Sequence, residues 1–165
     1  EIQDESSIGQ TGRPHIAAVL VRKKIVTDID TAFRKYLKRG RPAYVERYVL
    51  QAGDAIRVLA EAGGVAVLAH PGSIDRSLKK VPSLLEELVP LGLSGIEVYN
   101  PIHTANMRKK LALAADYYNL VMTGGSDYHG SIRPGSTLAG GADLHIPDEV
   151  LARLKDVRTT MQAQR

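Results

Sequence analysis

Cysteine and tryptophan are absent from this 165-residue chain, and phenylalanine occurs once. Without cysteine there is no disulfide framework, which agrees with a cytoplasmic location. Aromatic residues make up 5% of the chain, so a core has to be built mostly from Ala, Val, Leu and Ile, as in a parallel sheet covered by helices. No apolar run approaches the roughly 20 residues that a membrane-spanning helix needs, and nothing that resembles a signal peptide opens the chain. We therefore expect an α/β protein with no membrane partner.

Positive charge exceeds negative charge, with 22 Lys and Arg against 18 Asp and Glu and a net charge of +4. The excess is concentrated in the first third of the chain, at Arg22, Lys23, Lys24, Arg34, Lys35, Lys38, Arg39, Arg41 and Arg47. Such a cluster favours an anionic partner, for example a phosphorylated substrate or a short RNA, because binding releases counterions. The alternative is that these residues form a solvated helix face.

Residues 1–50 are predicted to form a small helical domain. In chain order, the caps and apolar spacing predict a loop over residues 1–11, a helix over Pro14–Lys24, a second helix from a cap at Asp28 or Asp30 through Lys38, and a linker over Ala43–Val49. The proline in the first turn and the acidic caps are typical helix starts, since they suit the unpaired N–H groups there.

From about residue 51 helices and short apolar strands alternate. The predicted helices cover Asp54–Ala62, Pro82–Leu91, Thr104–Tyr118 and Pro147–Ala163, and the predicted strands cover Val65–Ala69, Gly95–Tyr99 and Leu120–Thr123. Repeated β-α units require right-handed crossovers and give a parallel sheet. Residues 51–165 are therefore expected to form an α/β domain.

Side chains that can bind a metal follow all three predicted strands. His70 comes after the first strand, His103 lies in the loop after the second, and Asp127 and His129 follow the third. Active sites of α/β folds lie at the carboxyl ends of parallel strands, and imidazole and carboxylate groups bind divalent cations such as Zn²⁺ or Mn²⁺. The pattern predicts a metal site with His70, Asp127 and His129 as ligands. The alternative is that each residue only satisfies a turn between strand and loop.

Three segments, taken in their order along the chain, resemble the C-terminal half of a PHP (polymerase and histidinol phosphatase) domain. They are Gly63–Gly72, Gly95–Asn100 and Thr123–Gly130. Upstream, Gly12–Ala17 and Arg39–Val45 resemble the inserted helical region of one PHP branch, which is similar to nucleoside 3′,5′-bisphosphate phosphatase and also trims the 5′ ends of short RNAs. The resemblance implies an α/β fold that is the C-terminal half of a distorted (β/α)₇ barrel with a small helical inserted domain. It also implies a metal-dependent phosphoesterase acting on nucleotides, with Mn²⁺ as the expected cofactor and Zn²⁺, Fe²⁺ or Mg²⁺ as alternatives.

Each candidate site residue has an expected role in such an enzyme. Asp127 and His129 are predicted to be catalytic as well as metal ligands, with Asp127 as the bridging ligand because a carboxylate has two oxygens. For His129 the alternative is a position near the leaving-group oxygen, although the resemblance favours ligation. Arg13 and Arg39 are predicted to bind the substrate phosphate, because the planar guanidinium can hold two phosphate oxygens; for Arg39 the alternative is a favourable charge at a helix end. His15 and His103 are predicted to contact substrate; for His15, at the start of a helix, the alternative is a packing residue. His145, outside any motif, is expected to be structural.

PHP domains begin with a His-x-His strand end and further ligands, whereas this chain has five His, at positions 15, 70, 103, 129 and 145, and begins with Glu1. We expect the chain to be the C-terminal portion of a longer protein that holds a minority of the ligands. Alone it should be a poor catalyst, and an unfinished sheet edge could pair with a second copy. Two alternatives remain: a catalytically incomplete anion-binding or interaction module, and a histidinol-phosphatase-like enzyme.

Overall fold

A computed structural model describes residues 12–46, 48–130, 137–138 and 144–163. The chain divides into two compact units, Glu1–Val49 and Leu50–Arg165. The loop predicted over residues 1–11 and the basic residue Arg47 lie outside the described residues. No helix in the part of the chain that the structure describes is long and apolar enough to cross a membrane.

The first unit packs two short helices around a small apolar cluster. Helix α1 covers Arg13–Arg22, and α2 covers Ile29–Ala32 and continues as a π-helical turn over Phe33–Leu37. The predicted cap is confirmed: Asp28 Oδ1 accepts a hydrogen bond of 2.7 Å from the backbone N–H of Thr31. The buried cluster consists of Ala17, Val26, Ala32 and Leu37.

The second unit contains a parallel sheet with helices between its strands. In chain order its elements are α3 (Ala52–Glu61), β1 (Val67–Leu68), α4 (Pro71–Ile74), α5 (Val81–Leu88) with a 3₁₀ turn (Val89–Leu91), β2 (Gly95–Tyr99), α6 (Ala105–Tyr117), β3 (Val121–Gly124) and α7 (Glu149–Ala163). The predicted cap of α6 is confirmed, since Thr104 Oγ1 accepts from the backbone N–H of Met107 at 3.3 Å. Helix α4, four residues long, was not predicted.

The strand order is β1-β2-β3, and both pairings are parallel. The strand predicted over Val65–Ala69 is reduced to β1, Val67–Leu68, because its partner β2 begins only at Gly95, opposite Val67. All three carboxyl ends lie at one edge of the sheet, since the strands are parallel. The predicted α/β class is confirmed, and a closed barrel stays a prediction.

The core of this unit packs around β2. Ile96 and Val98 are buried together with Leu85 of α5 and Leu111 of α6. One buried residue of β2 is different: Glu97 carries a carboxylate and is 9% exposed. A buried carboxylate needs hydrogen-bond partners to offset its lost hydration, and these partners lie at the end of β1.

Candidate metal and phosphate site

His70 follows β1 and takes a left-handed backbone conformation, with φ of 33°. Its ring Nδ1 lies 2.9 Å from Ser73 Oγ. When Nδ1–H donates to this hydroxyl, Nε2 keeps its lone pair for an external ligand, the arrangement that metal-binding histidines use. The backbone N–H of His70 donates to Glu97 Oε2 at 2.6 Å.

Asp127 and His129 follow β3 and form a local pair. Asp127 is also left-handed, with φ of 51°, a conformation that Asp tolerates better than most residues. His129 Nδ1 donates to the backbone carbonyl of Asp127 at 2.7 Å, because a carbonyl can only accept. In the neutral ring, Nε2 is then the nitrogen that keeps a lone pair for a ligand. The His129 side chain is 56% exposed and the Asp127 side chain is 35% exposed, so both can reach a ligand.

Glu97 connects the two strand ends and was missed in the sequence. Its Oε2 binds His70, as above, and its Oε1 would lie 3.2 Å from a Cβ added at Gly125, the residue that follows β3. The carboxylate therefore sits between the end of β1 and the end of β3. Its one sequence signal is a lone acidic residue inside an otherwise apolar strand, Gly95–Tyr99.

His103 does not contact solvent as a substrate-binding residue would. It is 3% exposed, Nδ1 donates to the carbonyl of Val98 at 2.9 Å, and Nε2 accepts from the backbone N–H of Gly72 at 3.1 Å. Both ring nitrogens are used inside the protein, which favours a structural role for His103; the predicted substrate contact stays a prediction.

In the first unit, His15 and Arg13 are used locally. His15 Nδ1 accepts from the backbone N–H of Gly12 at 2.9 Å and so caps its own helix. This favours a structural role over the predicted substrate contact. Arg13 Nη1 donates to the carbonyl of Leu37 at 3.4 Å, and its guanidinium carbon lies 5.6 Å from the centre of the Tyr44 ring. These contacts hold the guanidinium within its own unit.

Arg39 is much more accessible. Its side chain is 83% exposed and its Nη2 lies 3.1 Å from Glu46 Oε1. An exposed ion pair of this kind is weak and easily exchanged for another anion. Phosphate binding by Arg13 and Arg39 stays a prediction. The Arg39 side chain is the more accessible of the two to a phosphate.

Known proteins with similar sequences act on phosphate esters. The 3′,5′-nucleoside bisphosphate phosphatase of Chromobacterium violaceum is 39% identical over 137 residues, covering 82% of this chain and 46% of that protein. The 5′-3′ exoribonuclease Rnm of Escherichia coli is 34% identical over 139 residues, covering 84% of this chain and 46% of that protein. A crystal structure from Bifidobacterium adolescentis, called a metal-dependent phosphoesterase, matches 90% of this chain and 50% of its own with a TM-score of 0.74 and 28% identity.

Over most of its length the chain is similar to metal-dependent phosphoesterases of the PHP family. It spans about half the length of the curated PHP relatives it matches. A scan against family models gives no match. The resemblance predicted from the sequence is thus confirmed by similarity over most of this chain.

A PHP metal centre is only partly represented in this structure. The donor types of His70, Asp127 and His129 suit a divalent ion. Among the residues that the structure describes, however, no three His, Cys, Asp or Glu side chains group closely enough to hold one. These residues fit the kind of ligand but not a complete ligand set.

Proposed function

We propose that this chain acts as the C-terminal portion of a longer, metal-dependent phosphoesterase that hydrolyses phosphomonoesters of nucleotides. The observation that carries the proposal is the arrangement of donors at one sheet edge. His70 follows β1, and Asp127 and His129 follow β3. Further ligands would come from the longer protein, since the described residues do not complete a set.

The chemistry follows from the charge of a phosphomonoester. Bound divalent ions neutralise phosphate oxygens and lower the pKa of a bound water, which makes hydroxide available as the nucleophile. In this chain His70 and His129 would each donate one imidazole nitrogen, and the two oxygens of Asp127 suit it to bridging. Mn²⁺ is the proposed metal, with Zn²⁺, Fe²⁺ and Mg²⁺ as alternatives, and the cytoplasm is the proposed location.

The proposed substrates are nucleoside 3′,5′-bisphosphates and the 5′ ends of short RNAs. The names of the two curated relatives support these two classes. The net charge of +4 supports an anionic substrate. Arg13 and Arg39 are proposed to bind its phosphate.

The direct test measures phosphate release by the full-length protein from a nucleoside 3′,5′-bisphosphate, and nucleotide release from a 5′-phosphorylated short RNA. Each reaction is run with added Mn²⁺ and after EDTA treatment. We expect turnover with Mn²⁺ and its loss with EDTA. Turnover that EDTA does not affect, or no turnover of either substrate with any of the four metals, would contradict the proposal.

A second candidate is an anion-binding module that lacks catalysis. It is favoured by one observation: no metal-sized group of ligands exists among the described residues. Binding of the nucleotide in EDTA, measured by calorimetry, without turnover under any metal condition, would identify this module.

A further inference from the structure

Two buried side chains hold the segment that carries His70. Glu97 of β2 accepts from the backbone N–H of His70 at 2.6 Å. His103, in the loop after β2, accepts from the backbone N–H of Gly72 at 3.1 Å. Glu97 and His103 are 9% and 3% exposed. The strand and its following loop therefore hold the start of α4 at two points.

The His103 contact has a defined direction. Its Nδ1 lies 2.9 Å from the carbonyl oxygen of Val98 and must carry the proton, because the carbonyl can only accept. Nε2 is then the acceptor that Gly72 requires. The ring is a rigid bridge between the backbone of β2 and the backbone of α4.

Gly72 is adapted to this bridge. A Cβ at this position would lie 2.7 Å from His103 Cδ2 and 2.6 Å from Met107 Cε. Both distances are too short for real atoms, so a side chain here would displace the imidazole. Position 72, directly after Pro71 at the start of α4, therefore requires glycine, because a Cβ there would clash with His103.

His70 needs such support. Its φ of 33° is unfavourable for a residue with a Cβ, and such conformations persist only where surrounding contacts determine them. The backbone N–H of His70 itself donates the hydrogen bond that Glu97 accepts. It fixes the direction in which the His70 side chain leaves the chain.

We propose that Glu97 and His103 are positioning residues that orient the imidazole of His70 toward the bound metal. This rests on the proposed function, in which His70 is a ligand. Neither residue needs to touch the metal or the substrate. Groups that hydrogen-bond the ring of a metal-binding histidine change metal affinity about 10–100-fold when removed, and we expect these backbone partners to act in the same direction.

The test uses the full-length protein and compares Glu97→Leu, which removes the acceptor, with Glu97→Gln, which keeps an acceptor oxygen. Glu87→Leu, at an exposed residue of α5, is the matched control. Amide hydrogen exchange of His70 is measured by NMR without metal, and Mn²⁺ affinity is measured by calorimetry. We expect faster His70 exchange and at least about tenfold weaker Mn²⁺ binding in Glu97→Leu, with recovery toward wild type in Glu97→Gln and no change in the control.

Gly72→Ala is the second variant, in case Glu97→Leu does not fold. We expect it to weaken Mn²⁺ binding while the thermal transition remains cooperative. Wild-type Mn²⁺ affinity in both Glu97→Leu and Gly72→Ala, or wild-type His70 exchange in Glu97→Leu, would overturn the proposal. If the wild-type protein binds no Mn²⁺, the proposed function fails, and the exchange data still show whether Glu97 holds the His70 backbone.

Discussion

The Glu97 carboxylate accepts the backbone N–H of His70 at 2.6 Å, across 27 residues of sequence. Through this bond the middle strand of the sheet fixes the end of its neighbour. A rigid sheet edge is what a metal site requires, because its ligands must keep their geometry while substrate binds and leaves. The candidate ligands at this edge lead to specific predictions.

Asp127→Asn should lower turnover by orders of magnitude and leave the fold intact. Asn also tolerates the left-handed conformation of Asp127, whose φ is 51°, so the change removes charge without straining the backbone. Turnover of a nucleoside bisphosphate is compared with that of Asp116→Asn, an exposed residue of α6. Equal turnover and metal content in both variants would remove Asp127 from the site.

Arg39→Ala should raise KM or lower turnover without loss of metal, because it removes charge-assisted hydrogen bonds worth roughly 1.5–3 kcal/mol. Arg13→Ala should do the same and also reduce stability, since Arg13 contacts Leu37 and Tyr44. Glu46→Gln should not weaken substrate binding, because it removes the anion paired with Arg39. Steady-state kinetics and thermal melts separate these effects, and Arg158→Ala, at an exposed residue of α7, is the control. If both Arg13→Ala and Arg39→Ala show wild-type kinetics, neither residue binds the phosphate.

Asp75 should make stability depend on pH in the acid range. A hydrogen bond from the Ser77 hydroxyl, helped by the backbone N–H groups of Lys80 and Ser77, lowers the pKa of the Asp75 carboxyl from 3.8 to about 2. The folded pKa lies below the unfolded one, so the carboxylate stabilises the fold above about pH 4, and this is lost as the pH falls toward about 2. Urea unfolding should show Asp75→Asn less stable than wild type at pH 7, and this difference in the free energy of unfolding should shrink as the pH falls toward about 2. Ser77→Ala removes the hydroxyl that donates to Asp75, so it should narrow the stability difference at pH 7 between proteins with Asp75 and with Asp75→Asn.

The 165-residue chain alone should be a poor catalyst. The described residues supply His70, Asp127 and His129 but no complete ligand group. Strand β1 pairs only with β2 among the described residues, so its other edge could pair with a second copy. Phosphatase activity with Mn²⁺ and mass in solution are measured beside the full-length protein. A monomer as active as the full-length protein would show that these three ligands are sufficient.

Local patterns predicted the elements, and long-range contacts explain what was missed. The bounds of β2 and the Thr104 cap follow from residues adjacent in sequence, and both are confirmed. The roles of Glu97 and His103 depend on His70 and Gly72, which are 27 and 31 residues away. No periodicity encodes such a contact. For the same reason, the position of His70 after a predicted strand indicated a metal ligand, but it could not give the distance between the ends of β1 and β3.

The most direct measurement is the divalent metal content of the purified full-length protein, compared with His70→Ala and His129→Ala. Elemental analysis by mass spectrometry gives the ions bound per chain, and thermal melts confirm that each variant is folded. The account predicts at least one bound divalent ion in the wild type and a clear reduction in both variants, with phosphate release lost in parallel. A wild-type protein that hydrolyses nucleotides without bound metal, or variants that keep the full metal content, would contradict it.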